Sequence, residues 1–193
     1  MARTASTMLD LGTAAPAFQL PDVVTRQFVS LASFDNCTAL LVMFICAHCP
    51  FVKHVEQELA RLGQDYQDRN LGIVAISAND VSTHPDDAPD KLAVMAKQLG
   101  FTFPLCYDET QEVAKAYTAA CTPDFFLFDR DRHLIYRGQL DDSRPGNDQP
   151  VNGKDLRAAI NAALAGEVIP SDQKPSIGCN IKWKVGNEPP YYG

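Results

Sequence analysis

Residues 40–62 read LLVMFICAHCPFVKHVEQELARL. From Ala39 to Ile45 the chain is continuously apolar, as a strand buried on both faces of a sheet would be. After Pro50, apolar residues recur at Phe51, Val52, Val55, Leu59, Leu62 and Tyr66. That spacing predicts a helix with one apolar stripe, leaving Glu56, Glu58, Arg61 and Gln64 on its other side. Between strand and helix stands Cys46-Ala47-His48-Cys49. The fold reading turns on this junction: a buried strand that runs straight into a helix, with two cysteines where they meet.

Outward from it, LGIVAISA, starting at Leu71, predicts a second buried strand. STHPDDAP, starting at Ser82, is polar and proline-rich and predicts a surface loop. Leu92, Met95, Ala96 and Leu99 mark another helix, with Gly100 placed to end it. FPLCYD is short and strand-like. Asp108 with Gln111 resembles a capping box opening a helix through Tyr117. DFFLFDRDRHLIYRG predicts a hairpin that turns near Asp129 to Arg132. Asn152 is placed to cap a last helix carrying Leu156, Ala159, Ile160, Ala163 and Leu164, with Gly166 past its end. The tail after Glu167 shows no period and predicts an irregular extension lying on the domain, anchored by Trp183. Buried strands alternating with helices imply an α/β protein with a central sheet. The hairpin adds antiparallel strands on one side.

The chain has 193 residues, enough for one domain with a full core. It is 46% hydrophobic and 21% charged, a globular rather than a disordered composition. Net charge is -7 and no basic stripe exists, which speaks against nucleic acid or an anionic membrane as partner. No signal peptide or spanning stretch is visible, so the expected location is the cytoplasm. There, six cysteines point to redox chemistry, metal binding or simple burial before structural disulfides.

Two cysteines at this spacing can close a small ring. Unpaired N–H groups at a helix start favour a thiolate, the attacking species in disulfide exchange. The sequence therefore suggests Cys46 as nucleophile and Cys49, one turn in, as the resolving thiol. His48, lying between them, is expected to favour the Cys46 thiolate by hydrogen bonding and charge. Two other readings of the pair stand beside this one, inert buried cysteines and a zinc site. A zinc ribbon would need a second Cys-x-x-Cys or a histidine pair at set spacing. Cys37, Cys106, Cys121 and Cys179 are instead scattered singly, Cys37 and Cys106 as expected buried fillers. The acidic residues Asp141, Asp142 and Asp148 read as a solvated surface.

Downstream, Pro123 in AACTPDFFLF sits immediately before an apolar strand. With the strand–dithiol–helix junction, this resembles the thioredoxin superfamily. APAFQLPDV, LLVMFICAHCPFVKH, DETQEVAKAYTAACTPDFFLFD and YRGQLDD resemble its peroxiredoxin-like branch, the alkyl hydroperoxide reductase/thiol-specific antioxidant grouping. The resemblance runs from about Ala15 to Trp183. It implies a thioredoxin-like fold with a central mixed sheet flanked by helices. An N-terminal strand or hairpin preamble would open it; residues 1–14 would form a lead, 15–168 the domain, and 169–193 an extension packed on it. It also implies a cis Thr122–Pro123 bond beside the dithiol, with Thr122 offering backbone groups to an extended substrate. Cys121 would lie near the dithiol, as packing or as a third redox thiol. Cys179 could pair with Cys121, resolve a sulfenate, or be passive. The branch's Pro-x-x-x-Thr-x-x-Cys is altered: aligned on HCP, Val42 replaces the proline and Cys46 the threonine.

The function these residues imply is thiol–disulfide exchange through Cys46 and Cys49, on protein disulfides or small thiols, with no organic cofactor and no metal. A thiol-dependent peroxidase is the alternative, and a non-enzymatic thiol or metal-binding module the third. The chain is expected to be a monomer or a homodimer.

Overall fold

The computed structural model describes residues 3–192. A five-stranded mixed sheet forms its centre, in the order β6-β5-β4-β8-β9. β4 (Ala39–Phe44), β5 (Leu71–Ser77) and β6 (Leu105–Tyr107) run parallel. β8 (Asp124–Phe128) pairs antiparallel with β4 and, in a hairpin, with β9 (Leu134–Tyr136). The apolar run of β4 therefore occupies the middle of the sheet, and all six of its residues are buried. Leu41 and Met43 face one layer, Leu40, Val42 and Phe44 the other. Each such large side chain contributes about 1.5–3 kcal/mol over exposure.

α1 (Pro50–Tyr66), α2 (Pro89–Leu99) and α4 (Lys154–Ala165) supply residues to the first layer. α3 (Glu112–Ala116), the segment around Phe18 and Leu20, and the tail residues Ile181 and Trp183 supply the second. The N-terminal preamble contains a hairpin of β2 (Gln19–Pro21) and β3 (Phe28–Ser30). A second sheet joins β1 (Arg3–Ala5), β10 (Ile177–Asn180) and β7 (Cys121–Thr122), with β10 in the middle. No helix among the described residues is long and apolar enough to cross a membrane.

The structure corrects several local expectations. The tail is not wholly irregular. β10 is only four residues long, too short to show a period, and forms because both its edges find partners. Asp108 and Gln111 make no capping box. Gln111 has φ 66° and precedes the short α3, and its amide donates to the carbonyls of Ala78 (2.6 Å) and Lys182 (2.9 Å). Asp108 instead accepts the Ala114 N–H. The α4 cap is Gly153, at φ 64°, not Asn152. Asp141, expected on the surface, is buried and accepts the N–H groups of Ser143, Asn152 and Gly153. Glu58, expected on the outer side of α1, is buried and accepts from Arg157 Nε of α4 at 2.7 Å. Cys106 is buried as expected, but Cys37 is only half-buried.

Candidate active site

β4 ends at Phe44 and α1 begins at Pro50, so the Cys46–Cys49 segment spans the gap between them. Cys46 lies in the irregular part of that gap. Cys49 is the α1 N-cap, with Pro50 at the first helical position, where its missing N–H costs no hydrogen bond. Both residues are fully buried, at 0% exposure.

The Thr122–Pro123 bond is cis. It brings Thr122 against the dithiol: its hydroxyl is 3.3 Å from Cys46 Sγ, and its carbonyl oxygen is 3.2 Å from Cys49 Sγ. β10 crosses the other side of Thr122, with Cys179 directly opposite it in register. That strand delivers Cys179 Sγ to 2.7 Å from Cys49 Sγ. Cys179 thus faces Cys49 rather than Cys121. Cys121 is buried, with its Sγ 3.7 Å from the Pro123 carbonyl, and burial pushes its thiol well above the ordinary range.

The sequence suggested Cys46 as nucleophile, but the surroundings favour the thiolate at Cys49. Cys49 is drawn down to about 4. The first cause is the S–H of Cys46, and the S–H of Cys179 and the Thr122 hydroxyl add to it against the cost of burial. The Val52 N–H of the first helical turn favours the thiolate too, without closing a complete capping bond. Cys46 goes the other way. It is held well above the ordinary thiol range because it donates to Cys49, because it is buried, and because Asp87 is near. The helix-end field acts on the residue that caps the helix, and that residue is Cys49.

The His48 ring is held by Asp87 and His84. Its Nδ1 lies 2.5 Å from Oδ2 of Asp87, and its ring packs on His84 with centroids 4.6 Å apart. Asp87 was missed in the sequence because it falls within STHPDDAP, expected to be a surface loop. Asp86 is exposed, yet Asp87 is fully buried. Its Oδ1 accepts the N–H groups of Ala47 (2.7 Å) and His48 (3.1 Å), and its Oδ2 accepts the Asn79 amide (2.8 Å). These bonds hold its carboxyl below the usual range although burial pushes upward. Asp87 therefore pins the Cys-Ala-His-Cys backbone and sets a negative charge beside Cys46. No sequence signal separates it from its neighbour.

Cys46 Sγ, a His48 ring nitrogen and an Asp87 oxygen lie within 4.8 Å of one another, close enough to be tested as a metal centre. Both Asp87 oxygens, however, already accept two hydrogen bonds each, so the carboxylate presents no open lone pair toward the sulfur. The arrangement suits a structural clasp better than an ion. Chemically, the site gathers three buried sulfurs, Cys46, Cys49 and Cys179, with the thiolate most favoured at Cys49.

The model of the AhpC/TSA family matches residues 11–137. A Mycobacterium tuberculosis protein provisionally named a peroxiredoxin is 33% identical over 116 residues, covering 60% of this chain and 68% of the relative. An uncharacterized conserved protein of Geobacillus kaustophilus has a similar structure at TM-score 0.93 and 53% identity, covering 95% of this chain and 97% of that one. A Chlorobium tepidum structure, provisionally described as the thiol:disulfide interchange protein DsbE, aligns at TM-score 0.63 and 21% identity over 81% of this chain and 99% of its own, a likeness of fold alone. The fold is thioredoxin-like, as the sequence resemblance implied.

Proposed function

This chain belongs to the AhpC/TSA family, and from that premise we propose that it is a thiol–disulfide oxidoreductase in which Cys49 attacks and Cys46 resolves. The observation that carries the proposal is the setting of Cys49, which caps α1 with its Sγ 2.7 Å from Cys179 Sγ and draws on the Cys46 S–H, contacts that bring its thiol down to about 4. The Cys49 thiolate attacks one sulfur of a disulfide RS–SR′. A Cys49–S–S–R bond forms and R′S⁻ leaves, taking up a proton. Consuming the thiolate removes the acceptor of the Cys46 S–H, which is the main reason Cys46 stays protonated. Cys46 then loses its proton, attacks Cys49 Sγ and releases RS⁻, leaving a Cys46–Cys49 disulfide. Two substrate sulfurs are reduced and two protein thiols oxidised, and an external thiol restores the dithiol.

The substrates are protein disulfides or small disulfides, and the exchange requires no organic cofactor. Six cysteines without a disulfide suit a reducing compartment, the cytoplasm. The complete burial of Cys49 favours a second reading, reduction of a hydroperoxide small enough to enter. There the thiolate takes an oxygen from ROOH, releasing ROH after protonation. Cys46 then condenses with the sulfenic acid, expelling water.

Cys46→Ser and Cys49→Ser variants test the proposal with glutathione disulfide and, separately, a hydroperoxide. Cys49→Ser should neither reduce glutathione disulfide nor take up glutathione, whereas in Cys46→Ser a disulfide bond should still form at Cys49. Trapping on Cys46 in Cys49→Ser at a similar rate would overturn the assignment. Consumption of hydroperoxide without any disulfide reduction would favour the second reading.

A further inference from the structure

β10 and Cys179 have no part in a two-cysteine cycle, yet the structure builds them into its centre. Gly178 is pressed against the cis-proline loop. A Cβ there would stand 2.0 Å from the Thr122 carbonyl oxygen and 2.6 Å from its carbon. Only a residue without a side chain lets the strand come this close, and the close approach is what carries Cys179 to Cys49. The strand is also held at both ends. Before it, Ser176 accepts the Ser6 N–H and donates its hydroxyl to the Gly138 carbonyl. After it, Ile181 donates to the Ala120 carbonyl and Lys182 to the Asn79 side chain. Cys179 is 1% exposed, so its sulfur faces the pocket and not solvent.

We propose that Cys179 is a third catalytic thiol, which forms an internal disulfide with Cys49 that Cys46 then opens. The inference rests on Cys49 being the attacking thiolate. A disulfide needs its sulfurs about 2.05 Å apart, so from 2.7 Å they must approach by about 0.7 Å. After Cys49 has taken RS from a disulfide substrate, Cys179 loses its proton to the departed thiolate and attacks Cys49 Sγ. The Cys49–S–S–R bond breaks, RS⁻ leaves, and Cys49–S–S–Cys179 forms. Cys46 then gives up its proton and attacks Cys49 Sγ in turn. The Cys49–Cys179 bond breaks, Cys46–S–S–Cys49 forms, and the Cys179 thiolate takes up that proton. No net electrons are added by the second exchange, so the relay needs no oxidant beyond the substrate disulfide.

The position of Cys179 suits this order. Burial first, then its contact with the Cys49 thiolate, pushes its thiol up to about 12, so in the reduced protein it is a donor to Cys49 and not a rival nucleophile. Once Cys49 is in a mixed disulfide that second cause is gone. The Thr122 backbone separates the pocket from Cys121, whose sulfur contacts the Pro123 carbonyl instead.

The test uses the full chain as Cys46→Ser, Cys179→Ser, Cys46→Ser/Cys179→Ser and Cys49→Ser. Each is treated with one equivalent of glutathione disulfide, blocked with alkylating agent and mapped without reduction. Cys46→Ser should accumulate a Cys49–Cys179 disulfide, and Cys179→Ser a Cys46–Cys49 disulfide. Glutathione should leave Cys49 at least about tenfold faster in Cys46→Ser than in the double variant, since the attacking thiol is already in place. A Cys46→Ser protein that keeps glutathione on Cys49 while Cys179 is alkylated would overturn the proposal and leave the two-cysteine cycle intact. Absence of any bond at Cys49 in both Cys46→Ser and Cys179→Ser, with each folded by circular dichroism, would overturn the cycle itself.

Discussion

Replacing Gly178 by alanine puts the geometry of the site under direct strain. The new Cβ would sit 2.0 Å from the Thr122 oxygen, 2.6 Å from its carbonyl carbon and 3.1 Å from the Pro123 nitrogen. All three are backbone atoms of a loop pinned by β8, so no side chain can swing aside. Ordinary contact begins at 3.4 Å, so β10 must recede from Thr122 by roughly 1.4 Å, the gap between 2.0 and 3.4 Å. Overpacking of this kind costs about 1–3 kcal/mol. For a chain of this length each kcal/mol lowers the melting temperature by about 2–4 °C, so the loss should be roughly 2–12 °C. The recoil also carries Cys179 away from Cys49, removing one of the S–H donors that hold the Cys49 thiolate. The thiolate pKa should therefore rise. Scanning calorimetry of the reduced protein reads the first effect, and ultraviolet thiolate absorbance against pH the second. A melting temperature within 1 °C of wild type, together with an unchanged thiolate titration, would refute the close seating of β10 on Thr122.

Other substitutions probe the surrounding shell. Asp87→Asn removes a negative charge beside Cys46, so the Cys46 pKa should fall, and its reaction with alkylating agents at alkaline pH should start lower; an unchanged Cys46 profile would dismiss the charge. Asp124 is fully buried and its Oδ1 has no hydrogen-bond partner among the described residues, and burial pushes its carboxyl up to about 7. A raised folded-state value means that its stabilising effect is complete below the unfolded value near 3.9 and is lost as pH rises through about 7. Asp124→Asn should therefore raise the melting temperature relative to wild type above neutral pH but not in acid, and an equal shift at both would count against it. Arg157→Ala leaves the buried Glu58 with Arg61 alone and should cost about 3–5 kcal/mol in urea unfolding; a cost below 1 kcal/mol would show that Glu58 is solvated.

What the sequence discloses follows from how local each feature is. The β4–α1 junction was legible because β4 is an unbroken apolar run and α1 carries an apolar stripe, whose residues are all buried as its period requires. The β8–β9 hairpin was legible for the same reason. The cis proline came from the resemblance. The role of each cysteine was not legible. It depends on which sulfur receives the donors, and one of them, Cys179, is 130 residues away from Cys49. Asp87 contacts Ala47 from 40 residues away, so its burial is a product of tertiary packing and leaves no mark on STHPDDAP. β10 owes its existence to β1 and β7, strands of three and two residues that are themselves too short to recognise. Gln111 looked like a capping residue because Asp108 stands three before it. The tail backbone at Lys182, far along the chain, takes its amide instead.

The central claim, that Cys49 and not Cys46 holds the negative charge, is most directly tested by a site-resolved titration of the reduced protein. Cysteine Cβ chemical shifts, assigned with single Cys→Ser variants, report each thiol separately. The expected result is that Cys49 ionises near 4 while Cys46 remains protonated through neutral pH and beyond the ordinary value of 9.0. Ionisation of Cys46 first, with Cys49 still a thiol at neutral pH, would contradict the account and restore Cys46 as the nucleophile.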